Sequence, residues 1–179
     1  MLIPSQSAEF DAALAAAKAV CAAARTAPKA CGVDHLESAI LTGEEKAAVS
    51  AQMRKIGQSF GEKGGFFLRD AGNVEEAQVL VLIGAKYETR HLGKLCGACG
   101  FDGCTACTAA GATCVFTAMD LGIALGSAVS VAADARIDNR MMFTAGKAAA
   151  ALGYLGQHKL IIGIPLSVSG KAPFFDREA

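Results

Sequence analysis

The chain has 179 residues, with 17 Lys plus Arg against 17 Asp plus Glu, so no net charge draws it to nucleic acid or to an anionic membrane. That length buries a core without disulfide or metal staples, and predicts one domain over residues 1–179. Hydrophobic residues reach 53% and charged residues only 19%, which points to a subunit interface, although 37 alanines inflate the apolar share.

Phe10, Leu14, Ala17 and Cys21 recur at helical spacing and predict a helix over Ser7–Ala24, capped by Ser7 and ended near Ala27 by Pro28. His35–Leu41 reads as a strand. Thr42 opens a helix over Glu44–Phe60, with Glu45 completing a capping box and Met53, Ile56 and Phe60 on the buried side. Gly61, Gly64 and Gly65 open a loop before Phe66, Phe67 and Leu68, and a short helix or turn is expected at Asn73–Ala77. Val79–Ile83, a continuous apolar run ended by Gly84, predicts a central strand. A helix is expected from about Thr105 to Leu121, then a short strand at Val129–Ala133. A helix over Asn139–Leu152, capped by Asp138 or Asn139, and a strand over Leu160–Ile164, closed by Pro165, complete the pattern. The tail from Leu166 reads as an extended arm or ordered surface segment. Spacing is too irregular for a βαβ array and predicts an α+β fold, a three-layer α/β sandwich with a mixed central sheet flanked by helices.

Gln6, Glu9 and Asp11 interrupt any leader-like apolar run, and Gly111–Ala133 and Met141–Gly156 fall short of a membrane span. A cytoplasmic protein is expected, with neither nucleic acid nor membrane as partner. Seven cysteines, an odd number, argue against a secreted disulfide scaffold. Four of them, Cys96, Cys99, Cys104 and Cys107, lie in one glycine-rich loop spanning 96–107. Two thiolates separated by two residues can face one ion or one cluster, and glycines let the backbone fold tightly around it. An iron–sulfur cluster, four-iron four-sulfide in type, suits so tight a loop. Zinc is chemically possible, but the gap between the two pairs is short for two zinc knuckles. A third reading leaves the thiols unliganded. If one helix starts near Thr105, Cys107 and Cys114 lie roughly 10 Å apart along it, so one of them reaches a cluster and Cys107 is the nearer. Cys21 and Cys31 read as small buried residues.

The string from Cys96 to Cys104 resembles the opening of a small iron–sulfur domain of some membrane redox-complex subunits. There the fourth cysteine comes many residues later. The corresponding neighbourhood here is Asp120–Leu121, which has none, so Cys107 or Cys114 would substitute. No Gly-x-Gly-x-x-Gly follows a strand, and there is no phosphate loop, nucleophile elbow or His-Glu-x-x-His. His35, His91 and His158 fit surface or loop positions.

Arg25-Thr26-Ala27-Pro28-Lys29, after a helix and before a strand, resembles the Ala-Pro-Ser segment of the FMN-dependent nitroreductases. Asp120 to Ser127 resembles the Gly-Leu-Gly-Ser stretch that ends a long helix there, and Gly163-Ile164-Pro165 with Lys171 and Arg177 resembles the closing strand and its basic residues. The whole chain resembles a family of small bacterial and archaeal proteins with a ferredoxin-like cysteine motif. The resemblance implies a homodimer with FMN in a groove at its interface. Arg25, Thr26, Ala27, Pro28 and Lys29 would line one side, Leu125, Gly126 and Ser127 would approach the ring, and Lys171 or Arg177 would meet the phosphate. Two departures are visible: the family's opening Arg-Arg-Ser is missing, and Cys31-Gly32-Val33 stands where Asn is usual. The implied function is an FMN-dependent oxidoreductase, with NAD(P)H or ferredoxin as donor and an unknown acceptor, relaying electrons through the cysteine loop. The alternatives are an iron–sulfur or zinc redox module or sensor without flavin turnover, and an interaction protein that has lost turnover.

Overall fold

The computed structural model describes residues 1–156 and 160–175. In chain order its elements are α1 (Ser5–Thr26), β1 (Leu36–Leu41), α2 (Gly43–Ser59), α3 (Gly65–Glu76), β2 (Val79–Ala85), α4 (Gly103–Ala109), α5 (Val115–Asp134), β3 (Asp138–Asn139), α6 (Phe143–Ala151) and β4 (Leu160–Ser167). The strands form one sheet in the order β1-β2-β4-β3. All of β2 is buried, because alternate side chains serve two cores. Val79, Val81, Ile83 and Ala85 pack beneath α1 and α5, while Leu80 and Leu82 pack against α2, α3 and α6. Three layers result, as the α+β expectation requires.

The strand directions differ from the mixed sheet expected. All three pairings among the described strands are antiparallel. A single crossover helix would return the chain parallel to β1, but two helices fill the β1–β2 connection. They run antiparallel to each other, with the Lys46 ammonium donating to the Val74 carbonyl and Ser50 to the Ala71 carbonyl. Arg54 and Ser50 bind Glu75 and hold its carboxyl well below the usual glutamate range, at about 2. The second helix of this pair, α3, replaces the loop expected over 61–72. Phe67, Ala71 and Val74 are its buried face, at helical spacing.

Other boundaries shift for local reasons. The Thr42 side chain makes no cap bond, and Phe60 is exposed rather than buried. Val129–Ala133 is the last part of α5 instead of a strand, since Ala128 and Ala132 bury against the α1 layer and outweigh the β-branched valines. Helix α6 starts at Phe143, because Asp138, Asn139 and Met142 first pair with β4. Strand β4 continues through Pro165 to Ser167. Gly163 exchanges both its bonds with Met142, so the N–H that Pro165 lacks would face this same short outer edge. In the tail, Phe174 is fully buried and accepts a bond from Arg140 at its carbonyl.

Among the described residues, α5 is long and apolar enough to cross a membrane by length and composition, contrary to the expectation for 111–133. One face of it packs on α1 and the sheet through Leu121, Ala124, Leu125, Ala128 and Ala132. Helix α6 lies directly on β4, and a Cβ at Gly146 would stand 1.7 Å from the Ile161 carbonyl oxygen. Gly146→Ala is therefore expected to cost about 3 kcal/mol or more. At this chain length that lowers the thermal midpoint by roughly 6–12 °C, measurable by circular dichroism. An unchanged midpoint would contradict the contact.

Candidate functional site: a thiol-lined cavity

Between β2 and α5 the chain forms a tight segment containing only α4 and one 3-10 turn at Gly93–Leu95. The single helix expected over 105–121 is two helices. Helix α4 stops at Ala109, Gly111 turns left-handed with φ +62°, and the Ala112 N–H folds back onto the Cys107 carbonyl at 3.1 Å. Helix α5 then starts just after Cys114. This break removes the 10 Å separation along a common axis and brings both cysteines to one place.

That place is a tight, partly open cavity lined by Cys96, Cys99, Cys104, Cys107 and Cys114, all free thiols. Leu92, Val115 and Phe116 give it apolar walls. Cys107 is fully buried and reaches the Ala112 carbonyl at 3.6 Å. Burial pushes its thiol up, and a hydrogen bond with Cys99 and the neighbouring Cys114 and Cys104 push the same way. Among the described residues no three Cys, His, Asp or Glu side chains close on one point as a single ion requires. Four zinc–sulfur bonds of about 2.3 Å would need such closure, whereas a polynuclear cluster spaces its ligands around a larger body. Five thiols lining one cavity are a donor set that a polynuclear cluster can use. Cys21 is half-buried, and Cys31 is exposed at φ +58°, so the burial expected of Cys31 does not hold.

One further side chain of the cavity, Arg90, has as its sequence signal its position leading into the cysteine loop, which it shares with Tyr87; Tyr87 is not in the cavity wall. Arg90 lines it with a side chain only 1% exposed. Its Nη2 donates to Asp120 Oδ2 at 2.5 Å, and Asp120 Oδ1 accepts the Ala30 N–H at 2.9 Å. The Glu88 carbonyl accepts from both Thr117 Oγ1 and Arg90 Nη1. Buried Arg90 Nε has no partner. The sequence held a signal for this pair: Asp120 is the only charge in the apolar run from Cys114 to Ala133, and a buried carboxylate needs a cation.

The segments assigned to FMN meet only in part. Ser127 Oγ donates to the Ala23 carbonyl at 3.1 Å, which sets Leu125–Ser127 of α5 against the end of α1. Arg25 and Lys29, expected to line one side of the groove, are engaged within the chain. Arg25 donates to Asp34 at 2.7 Å and to the Leu36 carbonyl at 2.8 Å. Lys29 caps α1 by donating to the Ala24 carbonyl at 2.9 Å and to that of Arg25. Thr26 Oγ1 bonds back to the Ala22 carbonyl, and Lys171 lies beyond β4, bonded through its backbone to Ser169. Ala27 is buried, Pro28 is exposed, and Arg177 and His158 lie outside the described residues. Within one chain the Arg25 and Lys29 side chains turn to the protein's own carboxylate and carbonyls.

Several solved structures share this fold. An FMN- and NADPH-dependent nitroreductase, NfnB, from Sphigopyxis sp. strain HMH aligns with a TM-score of 0.57 at 14% identity, over 92% of this chain and 83% of that one. A nitroreductase with bound FMN from Desulfitobacterium hafniense DCB-2 aligns with a TM-score of 0.56 at 15% identity, over 88% and 78%. A BluB-like flavoprotein from Clostridium difficile 630 gives 0.58 at 13%, over 92% and 83%. Identities this low establish the fold alone. In sequence, a protein of Archaeoglobus fulgidus is 43% identical over 162 residues, 86% of this chain and 85% of the relative. The model of a family described as "Uncharacterized protein containing a ferredoxin domain (DUF2148)" matches residues 110–177. The chain belongs to that ferredoxin-domain family, and its fold is that of the FMN-dependent nitroreductases.

Proposed function

We propose that the protein is an iron–sulfur redox protein on a nitroreductase fold, acting as a homodimeric oxidoreductase with FMN as second cofactor. The observation that carries this reading is the convergence of five thiols on one cavity. Cys96, Cys99, Cys104 and Cys107 would hold the cluster as thiolates, with Cys114 beside them. A bound cluster supplies one-electron exchange. Leu92, Val115 and Phe116 would shield it from water, and Asp120 fixes Arg90 at the wall. FMN is supported by the fold, not by residues 25–29 as they stand. A second copy is supported by the outer face of α5, where Met119 and Ile123 are exposed large apolar residues beside exposed Gly122 and Gly126. Dimerisation through this face would also place Gly126 at the interface. The donor would be NAD(P)H or ferredoxin, in a reducing cytoplasmic setting.

The engaged Arg25 and Lys29 favour a second reading, a cluster-bearing redox module or sensor without flavin turnover. Anaerobic purification followed by desalting, visible spectroscopy and light scattering separates the two. Retained FMN with bound iron and a mass about twice 18.2 kDa is the expected result. Iron without flavin would favour the module. Flavin without iron, or zinc alone, would overturn the cluster.

A further inference from the structure

Arg90 is buried deeply, yet its guanidinium is only partly used. Nη2 meets Asp120 and Nη1 meets the Glu88 carbonyl, while Nε has no acceptor in the protein. A buried N–H without a partner is costly, and such groups ask for an explanation. The pair is also oriented. Arg90 is part of the cavity wall with the five cysteines, whereas Asp120 is not among the lining residues. The cation is therefore the member of the pair that belongs to the cavity wall. It is held there firmly, since Asp120 sits in α5 and is tied to Ala30, and Thr117 one turn earlier holds the Glu88 carbonyl. A buried ion pair is a poor stabiliser compared with apolar packing, so stability alone gives little reason for one here.

We propose that Arg90 is the positioning cation of the thiol cavity, donating its Nε–H to a sulfur of the bound cluster while Asp120 holds it in place. The inference rests on the cluster reading above and adds a residue that tunes the group. Uptake of one electron, supplied in the test by dithionite, makes the thiolate-bound cluster one charge more negative. A fixed cation and a hydrogen bond to sulfur favour that reduced form, so Arg90 raises the reduction potential.

The test is an anaerobic redox titration of reconstituted protein, followed by visible absorbance and electron paramagnetic resonance. Removing Arg90 alone would strand a buried carboxylate, so the main variant is Arg90→Gln with Asp120→Asn, which removes both charges together. Its oxidised-to-reduced ratio at a fixed poise should rise at least about tenfold, a midpoint more negative by about 59 mV for one electron. Arg90→Lys keeps the charge but loses the fixed Nε–H, and should shift the same way by less. A purely structural role would lower iron content without moving the potential of the clusters that remain. An unchanged midpoint in an iron-loaded double variant overturns the role of Arg90 and leaves the cluster standing. If the double variant does not fold, Arg90→Lys decides, and an unchanged midpoint there overturns the hydrogen bond. Wild-type protein that takes up no iron overturns the cluster reading and this inference with it.

Discussion

Replacing Cys99 with alanine is expected to abolish stable iron binding. Cys99 lines the cavity and shares a hydrogen bond with Cys107, the most buried thiol of the set. Its loss leaves an open coordination position that an apolar methyl group cannot fill. Even changes that only touch a ligand's supporting contacts cost about 10–100-fold in metal affinity, so loss of a ligand should cost at least that much. Cys96→Ala and Cys104→Ala should behave alike. Cys107→Ala should also lose iron, because its neighbours include Cys99, Cys104 and Cys114, whereas Cys114→Ala should retain most of it. Iron and sulfide analysis after anaerobic reconstitution reads the pattern. Retention in Cys107→Ala with loss in Cys114→Ala would move the fourth ligand to the start of α5, where a helix N-terminus also favours a thiolate. Retention in all five variants would mean that the thiols bind nothing.

The largest effect on folding is expected from Arg90→Met in cluster-free protein. The two side chains of the pair are 1% and 3% exposed, so truncating the cation leaves an uncompensated carboxylate in the interior. That costs about 3–5 kcal/mol, enough to lower the thermal midpoint of a chain this size by roughly 6–20 °C. Arg90→Met combined with Asp120→Leu should recover most of the loss, since both charges are gone. The Ala30 N–H then loses its acceptor, which leaves a residual cost of about 1–3 kcal/mol. Thermal unfolding of the three proteins makes the comparison. Equal midpoints for the single and double variants would show that the pair is not electrostatically coupled.

The sheet and its two flanking layers were largely legible because they rest on short-range periodicity. The unbroken run at Val79 and the spacing of Leu14, Ala17 and Cys21 each report a local pattern that packing then reinforces. Only the end of helix α3 is legible, as the short helix or turn expected at Asn73–Ala77, because three glycines precede two phenylalanines. Composition there suggested a loop, although Phe67, Ala71 and Val74 carry the helical period. Valines misled in the opposite direction at the end of α5, whose alanine face against α1 decided the matter. Strand directions depend on how many helices lie between β1 and β2, which irregular spacing does not reveal.

The site was legible only where its members are close in sequence. Cys96 to Cys107 declare themselves by spacing. Cys114 joins them through a helix break at Gly111 that periodicity does not reveal, and Arg90 and Asp120 are 30 residues apart. The flavin segments show the converse limit. Resemblance implies that Arg25 and Lys29 line a flavin groove, but Asp34 and the last carbonyls of α1 lie near them in the chain and take their charge. Motif likeness locates a segment without saying which partner its side chains choose.

The five-thiol cavity is expected to hold one cluster. Wild-type protein, purified and reconstituted anaerobically with iron-57 and sulfide, should be analysed for iron and sulfide per chain and by Mössbauer spectroscopy. About four irons and four sulfides per chain, all in one tetrahedral sulfur-ligated species, is the expected result. Iron below one per chain after desalting, or iron removed fully by a mild chelator with no sulfide retained, would contradict it.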